Sequence, residues 1–217
     1  MTLLAAAVEH VVQNPRLFRE ALLTHVLLSA AALAVALIVA LPVGVLVARR
    51  PRAAFVAMNA ANVARTVPSL AVLAGMLPFL GIGFLPSFLA LVILGLPPIL
   101  TNTCVGIRQV DADAIESAAG MGMTPFQILC RVELPMAAPV MSAGVRTAAV
   151  QIVAGATLAA FIGGGGLGDF ITTGIGMMAI ELMLVGAIPV TVLAILTELA
   201  FGWLERAVTP RGMREPA

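Results

Sequence analysis

From Thr66 to Ile107 the chain runs 42 residues without a charged side chain. A helix needs about 20 mostly apolar residues to cross a hydrocarbon layer about 30 Å thick, because each residue rises about 1.5 Å. The run is long enough for two crossings, and GIGFLP at 81–86 supplies glycines and a proline where a turn between them belongs. Composition agrees: 61% of residues are hydrophobic and 11% charged, against about 25% charged in a soluble domain. The chain is predicted to be an all-α polytopic membrane protein.

Three further spans follow from the same test. Val26–Ala48 is closed by Arg49, Arg50, Pro51 and Arg52, Pro139–Ile162 carries Arg146 near its start, and Met177–Trp203 carries Glu181 and Glu198 near its ends. With the two from the long run, this makes about five crossings. Asn14-Pro15 is a cap and first-turn pair, so a helix is expected to begin there and run into the membrane. The amino end lacks the charged start and small-residue cleavage site of a signal peptide, so the first hydrophobic segment is expected to remain. Short cytosolic loops collect arginine. With the amino end outside, Arg49, Arg50, Arg52, Arg108, Arg131, Arg206, Arg211 and Arg214 fall inside, and only Arg16 and Arg19 fall outside. The expected organisation is an external or interfacial segment over 1–24, a transmembrane domain over 25–206 and a cytosolic tail over 207–217.

One polar island interrupts the greasy chain. IESAAGMGMTPFQILCRVELP, residues 115–135, lies in a cytosolic loop of about 107–138. Asp113 and Glu116 have capping-box spacing, Gly122 can close the helix they open, and Thr124, Pro125 and Gln127 can open another. Leu134-Pro135 is expected to end it. Helices this short need packing to hold them, and Ile115, Met121 and Met123 offer soft apolar contact suited to a groove on a partner.

Several chemistries are disfavoured. The chain has no lysine and a net charge of +1, so no nucleic-acid face is expected. GGGGLG at 163–168 lacks the Gly-Lys-Ser/Thr of a phosphate loop and reads as a flexible outer turn, or else a hinge or gate. His10 and His25 stand apart as structural residues, and Cys104 and Cys130 are expected to form neither a disulfide nor a metal site. Arg65, Arg146 and Glu198 sit toward helix ends, where anchoring at the interface competes with a pathway role. An ion-driven transporter would show internal repeats and carboxylates at mid-membrane, and a membrane enzyme would show a cluster of His, Asp, Glu or Cys. The sequence offers none of these.

The island resembles the signature loop of bacterial ABC importer permeases, E-A-A-x(3)-G-x(9)-I-x-L-P. Glu116, Ser117 and Ala118 stand at E-A-A, Gly122 at G, Val132 at I, and Leu134 and Pro135 at L-P, with Ser117 and Val132 as mild departures. RTVPSLAVLAG (65–75), LGIGFLPSFLALVILGLPPILTNT (80–103), GIRQVD (106–111) and FIGGGGLGDFI (161–171) are similar to the osmoprotectant, or quaternary-amine, branch. Methionine-type permeases share the five helices and the loop and are the alternative. The resemblance implies that the loop forms coupling helices docking into a separate ATPase, which holds ATP and Mg. This chain is then expected to bind no cofactor itself.

It further implies two permease copies, identical or homologous, two ATPase subunits, and residence in a bacterial cytoplasmic membrane. No fused soluble domain is expected, so an external binding protein is expected to deliver the solute. The expected passage is lined by small residues from about 66–75 and 148–157, with Thr66, Pro68, Ser69, Thr157, Gly163, Gly164, Gly165 and Gly166 as pathway or gate candidates. Tight cages for quaternary ammonium groups use aromatic faces. This chain has one Trp and no Tyr, so specificity is expected to reside in the binding protein, with Phe79, Phe84 and Phe161 the cage candidates otherwise.

Overall fold

The first long helix shows how the bundle is held. Its buried face places Leu28, Ala32, Ala36, Ala40, Gly44 and Ala48 at every fourth position, a stripe of small residues along one side. Lipid tails are as apolar as leucine, so helices in a membrane associate through close packing, which small residues permit. The computed structural model describes residues 3–208 of the chain, and the expected tail beyond 208, with Arg211 and Arg214, lies outside them.

The described residues form ten α-helices: α1 Leu3–Gln13, α2 Pro15–Ala48, α3 Pro51–Ala64, α4 Ser69–Leu80, α5 Phe84–Arg108, α6 Ala112–Gly120, α7 Pro125–Ile128, α8 Leu134–Gly155, α9 Gly168–Met177 and α10 Ile180–Val208. A π turn, Leu129–Glu133, joins α7 to α8, and a 3₁₀ segment, Ala156–Ile162, extends α8. Four helical stretches are long and apolar enough to cross a membrane: α2, α5, Pro125–Ile162 and α10. A fifth arises if α3 and α4, whose axes meet at 93°, count as one broken span.

At the centre, α2, α5 and α8 press together. Leu28 and Ala32 of α2 meet Leu91, Val92 and Leu94 of α5 and Ile152 of α8, while Ala36, Ala40, Ile99 and Ala148 continue the contact. The approach leaves no room for added atoms. A Cβ on Gly144 would lie 2.7 Å from the Pro98 carbonyl oxygen, and one on Gly44 would lie 2.7 Å from the Thr103 Cβ. Some hydroxyls within the spans are satisfied along their own helices: Ser142, Thr147, Thr191 and Thr197 each donate to a carbonyl four residues back, whereas the buried hydroxyls of Ser29, Thr101 and Thr103 have no partner among the described residues.

The structure departs from the sequence expectations in several places. A helix does start at Pro15, yet the Asn14 side chain donates to the His10 carbonyl and caps nothing. The crossing expected to begin at Thr66 is only the 12-residue α4, because Pro68 forces an extended residue ahead of it and breaks the helix from α3. Leu134-Pro135 does not end a helix: the π turn, closed by the Leu134 amide donating to the Leu129 carbonyl, carries the chain past the proline, so the loop of 107–138 ends inside a continuous helix.

The four glycines, finally, are no flexible outer turn. Gly163, Gly165 and Gly166 have φ of +71°, +76° and +96°, a region where side chains are strained. Gly164 and Gly166 are buried against Ser87 and His25, and Gly168 lies on the Thr157 carbonyl. The Gly83 amide donates to the Ile162 carbonyl at 2.8 Å, tying this junction to the α4–α5 turn.

Overpacking a well-filled interior costs about 1–3 kcal/mol. Gly144→Ala should therefore lower the thermal midpoint of the detergent-solubilised protein, whereas Gly176→Ala, whose added carbon meets nothing within 4 Å, should leave it unchanged. Equal effects at both positions would mean that α5 and α8 are not in close contact.

Candidate functional site: the loop helices and the cleft beside the broken span

The island folds as its local chemistry dictates. α6 opens at Asp111, whose carboxylate accepts the Asp113 amide at 3.0 Å, so the cap is Asp111 and not the expected Asp113. It closes in a Schellman motif: the Met123 amide donates to the Ala118 carbonyl and the Gly122 amide to the Ala119 carbonyl, with Gly122 at φ +81°. α7 opens in the expected capping box, in which the Gln127 amide donates to Thr124 Oγ1 and the Thr124 amide to Gln127 Oε1 at 2.8 Å.

Ala118 and Ile128 are buried where the two helices meet, and Ile115 and Met123 are half-buried. Glu116, Ser117 and Gly122 stay exposed, Val132 and Leu134 are half-buried, and Pro135 is exposed. Met121 and Phe126 are 75% and 73% exposed. Phe126 was not singled out from the sequence, although an aromatic residue in a polar loop was the available signal.

A second feature was invisible in the sequence. Arg49, at the end of α2, donates from Nη2 to Glu133 Oε2 at 2.7 Å, and Glu133 is only 7% exposed. Beneath this pair Ala48, Ala54, Cys104, Ile107 and Ala137 form a common apolar cluster with Leu129 and Leu134 packed on it. The loop helices are thus pinned to the ends of α2, α3, α5 and α8.

A cleft of about 300 Å³ opens beside the broken span. Arg65, Thr66, Val67, Pro68 and Ser69 from the α3–α4 link line one wall, and Ile93, Pro97 and Gln151 face them. Of the pathway candidates, Thr66, Pro68 and Ser69 come together here. Thr157 and the glycines lie elsewhere, at the junction described above. Among the described residues no ring contact links Phe79, Phe84 and Phe161; Phe84 stacks instead on Phe88, with centroids 6.3 Å apart. Arg146 pairs with Glu198 at 3.6 Å and Glu205 at 3.1 Å, which locks α8 to α10. His25 is fully buried with Nε2 3.1 Å from the Val153 carbonyl, in keeping with a structural role.

A family model, described as the inner membrane component of binding-protein-dependent transport systems, matches residues 40–210. The chain belongs to this family. The permease is 48% identical over 191 residues to the carnitine transport permease protein OpuCB of Listeria monocytogenes, covering 88% of each chain. It is 44% identical over 190 residues to the choline transport system permease protein OpuBB of Bacillus subtilis, again covering 88% of each. Among solved structures, a chain of the MetNI methionine ABC transporter in an inward-facing conformation superposes with a TM-score of 0.78 at 23% identity, covering 89% of the permease and 97% of that chain. The fold is therefore that of an ABC importer permease.

At the far end of α8 from the loop helices, α9 is too short to cross a membrane. Its Asp169 is exposed as a residue, yet its carboxyl edges a cavity lined by His10, Phe170 and Leu182, and the partial loss of water there pushes it above the ordinary value. A raised native pKa means that the folded permease holds the proton more tightly than the unfolded chain, so stability is lost as pH rises from the unfolded value through the native one. Asp169→Asn removes this penalty. The variant should melt higher than the native permease at pH 7.5, and the gap should shrink toward pH 4.5; a gap independent of pH would contradict the assignment.

Proposed function

We propose that this permease serves an ATP-driven importer that brings a small osmoprotectant, of the glycine betaine, choline or carnitine kind, into a bacterial cytoplasm. The observation that carries the reading is the loop unit itself: two capped helices, pinned from behind, that present Met121, Phe126 and Gly122 to the outside. Exposed apolar side chains on an ordered surface mark an interaction site, and a protruding helix suits a groove. The groove belongs to an ATPase, with Glu116, Ser117, Ala118 and Gly122 shaping the face that docks, and Val132, Leu134 and Pro135 joining it to the membrane helix.

ATP and Mg belong to that partner, since this chain has no lysine for a phosphate loop. Two copies of the ATPase, a second permease and an external binding protein complete the assembly. The arginine bias supports an outside amino end and a cytosolic loop.

The substrate class is supported by the transport named for the relatives at 48% and 44% identity. The cleft at the α3–α4 link is the candidate passage. Thr66, Ser69 and Gln151 offer polar groups without an aromatic cage, which suits transit better than tight binding, and Arg65 at its wall favours solutes that carry a carboxylate, glycine betaine and carnitine, over choline. Selection therefore rests with the external binding protein.

Cys130 is exposed on the loop unit and Cys104 is buried. In inside-out vesicles an impermeant maleimide should label Cys130 alone, and bound ATPase should protect it. Phe126→Glu should abolish both protection and uptake. Gly122→Leu, which forces a side chain into a left-handed conformation at a cost of about 1–2 kcal/mol, should impair both. Labelling only in right-side-out vesicles would overturn the orientation, and undiminished labelling with ATPase bound would overturn the docking.

A further inference from the structure

Arg49 and Glu133 lie 84 residues apart in sequence and join two parts of the molecule that no other polar contact connects among the described residues. Arg49 occupies the elbow between α2 and α3, with α3 beginning at Pro51. Glu133 is the last residue of the π turn through which the loop helices run into α8. α3 is an uninterrupted 14-residue helix that ends at Ala64, the first residue lining the cleft. One end of this helix is thus held by the elbow at Arg49, and the other end carries Arg65, Thr66, Pro68 and Ser69.

We infer that the Arg49–Glu133 ion pair is the joint that carries movement of the loop helices, through α3, to the wall of the cleft. The inference rests on the coupling role proposed above. An ion pair with one buried partner, here Glu133, and one exposed partner, Arg49, is weak evidence of stabilisation for its own sake, because well-packed apolar side chains serve as well or better around the buried group. What it adds is direction and register between two elements. The apolar cluster beneath it, which shares Ala54 and Met58 of α3 with Leu129 and Leu134 of the loop unit, can slide, whereas a 2.7 Å charge-assisted hydrogen bond fixes one geometry. The π turn serves the same end, since such turns interrupt regular helix where a side chain must be aimed. Arg49 and Glu133 are positioning residues: neither lines the cleft.

The test uses the whole transporter, purified with its ATPase and reconstituted in proteoliposomes with its binding protein. ATP hydrolysis and uptake are measured in the same vesicles for the native chain, E133Q, R49Q and the exchanged pair R49E/E133R. E133Q and R49Q should co-purify with the ATPase and hydrolyse ATP, yet take up less solute per ATP by about fivefold or more, the lower range of an allosteric coupling. The exchanged pair should recover most of that ratio. R49Q, whose side chain is 40% exposed, reads the joint even if E133Q fails to insert. An unchanged ratio in R49Q or E133Q would overturn the inference, as would a well-inserted exchanged pair whose ratio stays low. Loss of uptake and hydrolysis in equal proportion would show a packing role only. Failure of an ATPase to co-purify with the native chain would instead sink the coupling role on which the inference rests.

Discussion

Close packing of α2, α5 and α8 is the constraint from which the rest of the structure follows. In lipid there is little to gain from hiding apolar surface, so the bundle is held by the fit of small residues against neighbouring backbones. Ala32, Ala36, Ala40 and Gly44 on α2, Gly95 on α5 and Gly144 on α8 make that fit. A rigid three-helix core results, and the loop helices and the glycine junction hang from its two ends. At one end Ala48, Cys104, Ile107 and Ala137 close the core and seat the loop helices. At the other, Gly164, Gly166 and Gly168 wedge against Ser87, His25 and Thr157.

Between these ends the chain breaks regular structure in few places, each with a local cause. Pro68 separates α3 from α4 and opens a polar cleft in the wall of the bundle. The π turn at Leu129–Glu133 carries the helix past Pro135 without a break and brings Glu133 onto Arg49. The coupling role proposed for the loop helices would draw on both features: a stiff connection to the core and a break beside the candidate cleft.

What could be read from the sequence was what depends on neighbouring residues. Thr124, Pro125 and Gln127 announce a capping box because all its partners lie within three positions, whereas the 42 uncharged residues hold one full span, α5, and only the short α4, because their length does not show where Pro68 breaks the helix. The glycine stretch was misread because its freedom was judged from backbone alone, while the atoms that confine it, on Ser87, His25 and Thr157, come from distant segments. Pro135 looked like a stop because the π turn that accommodates it leaves no residue signature. The cleft was half legible: Thr66, Pro68 and Ser69 share one link, but Gln151 reaches it only through the pairing of α5 with α8.

The central claim, that this chain is the passive wall of an ATP-driven importer, is tested most directly by uptake of labelled carnitine and glycine betaine into proteoliposomes of defined composition. Vesicles holding this permease, its ATPase and its binding protein should accumulate solute only when ATP is supplied on the side of the loop helices. Omitting any one component should abolish accumulation. Accumulation by the permease alone, driven by a proton or sodium gradient without ATP, would contradict the account.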